Sequence, residues 1–150
     1  MQNRIGSKSI LLSQIGVLVF AALLAALDLG GWWIVRWFAA LRMMSERASL
    51  GVWAVLLACS VLGWVLLWAM WKLLGNLKSG SISTEENVRL LQRISLCCTG
   101  AAVLCLLGCF FYLPFLFAVA AAAFMSLIVR IVRNVFQTAL AMKAELDFTV

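Results

Sequence analysis

The chain has 150 residues, 65% of them hydrophobic and 12% charged, with a mean hydropathy of +1.07. A soluble domain carries about 25% charged residues, so the composition is that of a membrane protein. Lys and Arg number 12 against 6 acidic residues, and there is no histidine. That removes the commonest acid–base catalyst and a frequent metal ligand, so neither an enzyme nor a cofactor is expected. At about 20 residues per crossing, the chain accommodates one all-α membrane domain over residues 1–150 and little else.

The first apolar run is Ile10 to Leu27, preceded by Arg4 and Lys8 and closed by Asp28. Between Phe20 and Asp28 no two alanines stand two apart, as a signal-peptidase site prefers, so the run is expected to stay as an uncleaved first span. The next segment, residues 29–47, holds Trp32, Trp33, Trp37, Arg36, Arg42 and Arg47. It suits either an extension of the first helix or a helix lying in the interface. Gly30-Gly31 weakens helix continuity and favours the interfacial placement.

The second span, Leu50 to Trp71, carries Trp53 near one end and Trp68 and Trp71 near the other. Fifteen to eighteen residues at 1.5 Å each give about 23 to 27 Å, the separation of two aromatic belts. The loop 72–93 begins with a flexible stretch from Gly75-Asn76 to Ser79-Gly80-Ser81. Ser83-Thr84-Glu85-Glu86 then fits a capping box, with Ser83 as the cap. A short amphipathic helix is expected to follow, with Val88, Leu91 and Ile94 on its apolar face.

The third span is Ile94 to Leu113, and Tyr112-Leu113-Pro114 turns the chain into a fourth that starts at Phe115. This fourth helix spans to about residue 135 and continues as a cytoplasmic extension over 136–150. Unbroken to Leu146 it would be about 48 Å long, beyond the hydrocarbon thickness. The expected architecture is a polytopic four-helix bundle. Arg4, Lys8, Lys72, Lys78, Arg89, Arg93, Arg130, Arg133 and Lys143 fall on one side of it, and Arg36, Arg42 and Arg47 on the other. The excess places both termini and the 72–93 loop in the cytoplasm.

Small residues let helices approach in lipid. Cys97, Ala101, Cys105 and Cys109 recur every fourth residue, as do Ala118, Ala122 and Ser126, so the two stripes are expected to pack against each other. The cysteines lack a C-x-x-C pair and read as small hydrophobes. Transport calls for a carboxylate inside a span; Asp28 and Arg130 are expected at span ends instead. The alternative of a small oligomeric permease or pore subunit requires Gln14, Ser60, Thr99 and Ser126 to converge on one cavity. A third reading is a lipid-interacting protein using the tryptophan-rich segment.

Two short motifs remain. Gly80-Ser81-Ile82-Ser83-Thr84-Glu85-Glu86-Asn87-Val88-Arg89-Leu90 precedes the third span, and Glu145, Asp147, Thr149 and Val150 close the chain. In these motifs and in its four-span organisation the sequence resembles the bacterial membrane family known as domain of unknown function 2975. Ser81-Ile82 stands where Pro-Phe is more typical, and Phe148 where leucine is. The resemblance implies no assigned activity, but an association with very small helix-turn-helix regulators. It implies a multi-pass inner-membrane protein that binds such a regulator, with no direct nucleic-acid contact and with the bilayer, and in an oligomer a second copy, as its other partners. Ser83, Glu86, Asn87, Arg89, Leu90, Glu145, Asp147, Thr149 and Val150 are then the expected partner-binding residues, their carboxylates competing for a basic DNA-binding face.

Overall fold

A computed structural model describes residues 2–80 and 84–149, with side chains from Ile10 onward. Four helices follow one another: α1 (Gln2–Leu41), α2 (Glu46–Lys78), α3 (Glu85–Gly108) and α4 (Phe115–Phe148). All four are long and apolar enough to cross a membrane. The shortest, α3 with 24 residues, spans about 36 Å at 1.5 Å per residue, and so exceeds the hydrocarbon thickness by itself.

The connections are short. Between α1 and α2 the chain turns through Met43, whose φ is 48°, and Ser45 caps α2 by accepting from the Ala48 amide at 3.3 Å. At the α2–α3 turn Gly80 takes φ 81°, the left-handed conformation that glycine tolerates without strain. The α3–α4 turn is knitted by backbone bonds from Phe111 and Tyr112 to the Gly108 carbonyl, both 2.9 Å. Pro114 stands just before α4, where a missing amide costs nothing.

Contacts between helix pairs fix the register. Along α2 and α3, Val55 meets Gly108, Leu62 meets Gly100, Cys59 meets Cys105 and Asn76 meets Asn87, so the two run antiparallel. Every third and fourth residue of α2 from Val52 to Asn76 is buried or half-buried, and the same alternation runs from Asn87 to Gly108 in α3. On α4 it marks Phe115, Val119, Ala122, Ser126, Val129, Arg133, Phe136 and Leu140. An alternation of three and four is the 3.5-residue period of helices packed side by side at a small left-handed angle.

This period corrects the packing read from every fourth residue. Cys105 faces α2, with its sulfur 3.9 Å from that of Cys59, and Cys109 directs its thiol to the Cys105 carbonyl of its own helix at 3.3 Å. Cys97 is buried, Ala101 and Ala122 are half-buried, and Ala118 is exposed. Ser126 does join α4 to α3, through the Thr99 hydroxyl at 2.8 Å and the Ser95 carbonyl at 3.5 Å. A strict four-residue stripe rotates about 40° per step around a 3.6-residue helix, so it leaves the interface within two turns.

Among the described residues, backbones come close only between chain neighbours: α1 with α2, α2 with α3, and α3 with α4. The arrangement is therefore a row with α2 and α3 in the middle, more open than a closed bundle. Its densest part lies near the α2–α3 turn, where Ala69, Leu73, Leu90, Leu91, Ile94 and Cys98 form a core flanked by Val129 and Phe136 of α4. Outward positions such as Leu12, Phe20, Trp33, Phe117 and Phe124 stay exposed, as a lipid-facing surface does.

Three expected boundaries move. The segment after Asp28 is not a separate interfacial helix: α1 continues through Gly30-Gly31 to Leu41. Gly31 is required there, because a Cβ on it would sit 2.5 Å from the Trp53 ring of α2. Gly75-Asn76 is helical rather than flexible, since α2 runs on to Lys78. The amphipathic stretch and the third span are one helix, capped by Thr84; Ser83, the expected cap, lies outside the described residues.

Replacing Gly31 by valine is expected to cost about 2 kcal/mol by overpacking the α1–α2 contact. Thermal unfolding in detergent checks this, with Gly30→Val as the control because a Cβ there meets nothing within 4 Å.

Candidate functional site

Besides the Thr99–Ser126 pair of α3 and α4, two polar groups interrupt the apolar packing of the described residues, one at the α2–α3 turn and one halfway along α1 and α2. At the turn, Asn87 is fully buried at 0% exposure, in the first turn of α3 where Thr84 accepts from its backbone amide at 3.4 Å. Its side-chain oxygen accepts from the Asn76 amide at 2.9 Å. One helical turn away on α2, the Lys72 ammonium meets Glu86 at 2.6 Å, with both side chains about half exposed. The Lys72 ammonium and the Asn76 amide hold the Glu86 carboxyl below its ordinary value; Glu86 stands ahead of the apolar run that starts at Ile94. Below this pair the Trp68 ring is approached by Lys72 at 5.7 Å and by Arg93 of α3 at 6.0 Å, both cation–π distances.

The cluster sorts the expected partner-binding residues. Asn87 and Leu90, at 0% and 3% exposure, belong to the α2–α3 core. Glu86 is shared between Lys72 and the solvent, and Arg89 is 77% exposed beside Glu85 at 3.7 Å. Glu145, Asp147 and Thr149 are exposed on the last turns of α4, and the Thr149 hydroxyl donates to the Glu145 and Leu146 carbonyls of its own helix. Val150 lies outside the described residues. The exposed members of the two motifs thus sit on different helices, and the buried members hold α3 in place.

The second group is one that sequence reasoning missed. Asp28 was expected at the end of a span, but the continuation of α1 to Leu41 leaves it inside the helix. One of its carboxylate oxygens accepts from the Ser60 hydroxyl and the other from the Trp64 indole at 2.9 Å. Ser60 is midway between the charges that bound the apolar part of α2, Arg47 and Lys72. That is about 20 Å along the helix from either. A groove of about 220 Å³ adjoins Asp28, with Leu24 and Gly31 of α1 on one wall and Trp53, Leu57 and Cys59 of α2 on the other. The signal available in the sequence was Asp28 and Ser60 themselves, which pair once the helix is drawn past the glycines.

A wider groove of about 390 Å³ lies at the opposite end, between Trp37, Phe38, Tyr112 and Phe115 among others, and its walls are almost wholly apolar. No cluster of three or more metal-ligating side chains occurs among the described residues.

The family profile described as protein of unknown function DUF2975 matches residues 33–150. The chain belongs to the DUF2975 family. No curated protein matches it, and no solved structure does. The DUF2975 match takes in the end of α1, all of α2 to α4 and both motifs, whereas Asp28 lies ahead of it. The Asn76–Asn87 clasp therefore lies wholly within the region this chain shares with DUF2975, and the Asp28 cluster joins a residue outside that region to two within it.

Proposed function

We propose that this DUF2975 member is a non-enzymatic regulatory component of the bacterial inner membrane. Both termini face the cytoplasm, and the protein holds a soluble partner there, a small helix-turn-helix regulator. The observation that carries the reading is the state of the last turns of α4. Leu140 is the last half-buried residue, and every described residue from Ala141 to Thr149 is exposed. A helix end that packs on nothing is available to a partner. Glu145 and Asp147 give it negative charge, and Glu85 and Glu86 place more at the start of α3 on the same side of the membrane. Such carboxylates complement the basic face that a DNA-binding regulator presents.

The permease alternative gains nothing from the polar side chains. Ser60 lies against Asp28 between α1 and α2, whereas Thr99 and Ser126 bond to each other between α3 and α4. They line two interfaces and not one cavity.

A chain truncated after Met142 is expected to insert and fold as the full chain does, because no described residue beyond Leu140 is packed. It is also expected to lose its partner. A photo-crosslinking residue at position 144 in cells, followed by identification of the product, checks the interaction. A small basic regulator captured by the full chain and absent from the truncated one supports the reading; identical products from both overturn it.

A further inference from the structure

We infer that Asp28, Ser60 and the groove beside them form a binding site for a lipophilic monocation inside the membrane. This inference is independent of the docking reading, since it concerns the other end of the polar inventory and a residue ahead of the DUF2975 match.

A carboxylate at mid-bilayer is costly unless a proton or a positive charge accompanies it. Among the described residues, Asp28 has no cationic partner: its two bonds come from a hydroxyl and an indole. The other charged group on this part of α1, Arg36, is two turns away and lies over Trp32 at 5.9 Å. From α2, the ionisable group that faces the groove is Cys59. The Trp64 indole can only donate, but the Ser60 hydroxyl can donate to a carboxylate or accept from a carboxylic acid. The cluster thus tolerates both protonation states without rearrangement, and the charged state is one counter-ion short.

The groove specifies what kind of cation completes it. Its walls are apolar apart from the Asp28–Ser60 edge, and Trp53 forms one side because Gly31 lets the ring lie against α1. A hydrated metal ion would have to shed water onto one carboxylate and a hydroxyl, too few oxygens for a hard cation. A lipophilic organic cation seated against the open groove keeps its apolar groups against leucine and tryptophan and needs only a single counter-charge and an aromatic face.

The test uses the full chain in lipid nanodiscs and radiolabelled tetraphenylphosphonium, with empty nanodiscs subtracted. Saturable binding at neutral pH is expected, at least roughly tenfold weaker in Asp28→Asn and several-fold weaker in Ser60→Ala. Acidification is expected to release the probe from the wild-type chain, because a proton on Asp28 removes the counter-charge. Cys59→Ala should release it in the same pH range. The neutral analogue triphenylphosphine oxide is expected to bind weakly and equally to wild type and Asp28→Asn. Unchanged phosphonium affinity in Asp28→Asn, or equal affinity of the wild type for the neutral and charged probes, overturns the inference. If Asp28→Asn does not fold, the wild-type pH dependence and Ser60→Ala decide it: a probe retained on acidification, or held equally by Ser60→Ala, also overturns it.

Discussion

Replacing Asn87 by leucine is expected to destabilise the protein by roughly 2 kcal/mol, although leucine is the more lipophilic residue. Asn87 is fully buried and accepts from Asn76. The substitution takes the acceptor from one N–H of the half-buried Asn76 amide, and the cost is that of a donor left beside an apolar side chain. The double variant Asn76→Leu/Asn87→Leu removes donor and acceptor together and should recover most of the loss, which a double-mutant cycle of denaturant-induced unfolding in micelles would measure. The same pair separates two roles for the Glu86-Asn87 motif. A structural role gives low stability in the single variant and recovery in the double; a contact with a partner gives normal stability in both and loss of capture in both.

Ala69 supplies the second large effect. It is the least exposed apolar side chain of α2, at 0%, and lies in the core with Leu91, Ile94 and Cys98 of α3. Phenylalanine at this position would have to push α3 away from α2, at a cost of about 3 kcal/mol. Val61→Phe, on the lipid-facing side of the same helix at 64% exposure, is expected to change stability little. A comparison of the two by thermal unfolding checks the assignment of faces: if both variants are equally stable, α2 does not meet α3 along the Ala69 side.

What was legible in the sequence follows the length scale of each signal. Four apolar runs and the turn at Pro114 were readable because hydropathy is summed over about 20 residues, and no single position decides it. The unbroken α4 was readable for the same reason. The fate of Gly30-Gly31 was not, because glycine weakens a helix only where nothing else holds it. Here the missing side chain at Gly31 is what admits Trp53, a fact that belongs to α2. Asp28 was misplaced as a direct consequence: once the helix was ended at the glycines, the carboxylate became its terminus. The small-residue stripes failed differently. Cys105 and Ser126 are both buried, but they face different neighbours, and a period of four cannot be told from 3.5 over the four residues of one stripe. Family membership, by contrast, rested on short polar motifs whose order survives even where their members divide into core and surface.

The row-like order of the helices bears on how the protein is made. Because, among the described residues, each helix brings its backbone close only to the ones before and after it, most of the packing waits for no distant part of the chain, the edge-on pair of Phe38 and Tyr112 being one contact that does. The α1–α2 hairpin is complete in its own contacts when Lys78 has been synthesised, and each later helix docks onto a face already present. Assembly can therefore keep pace with insertion, and the two end helices, α1 on α2 and α4 on α3, each dock on a single backbone neighbour.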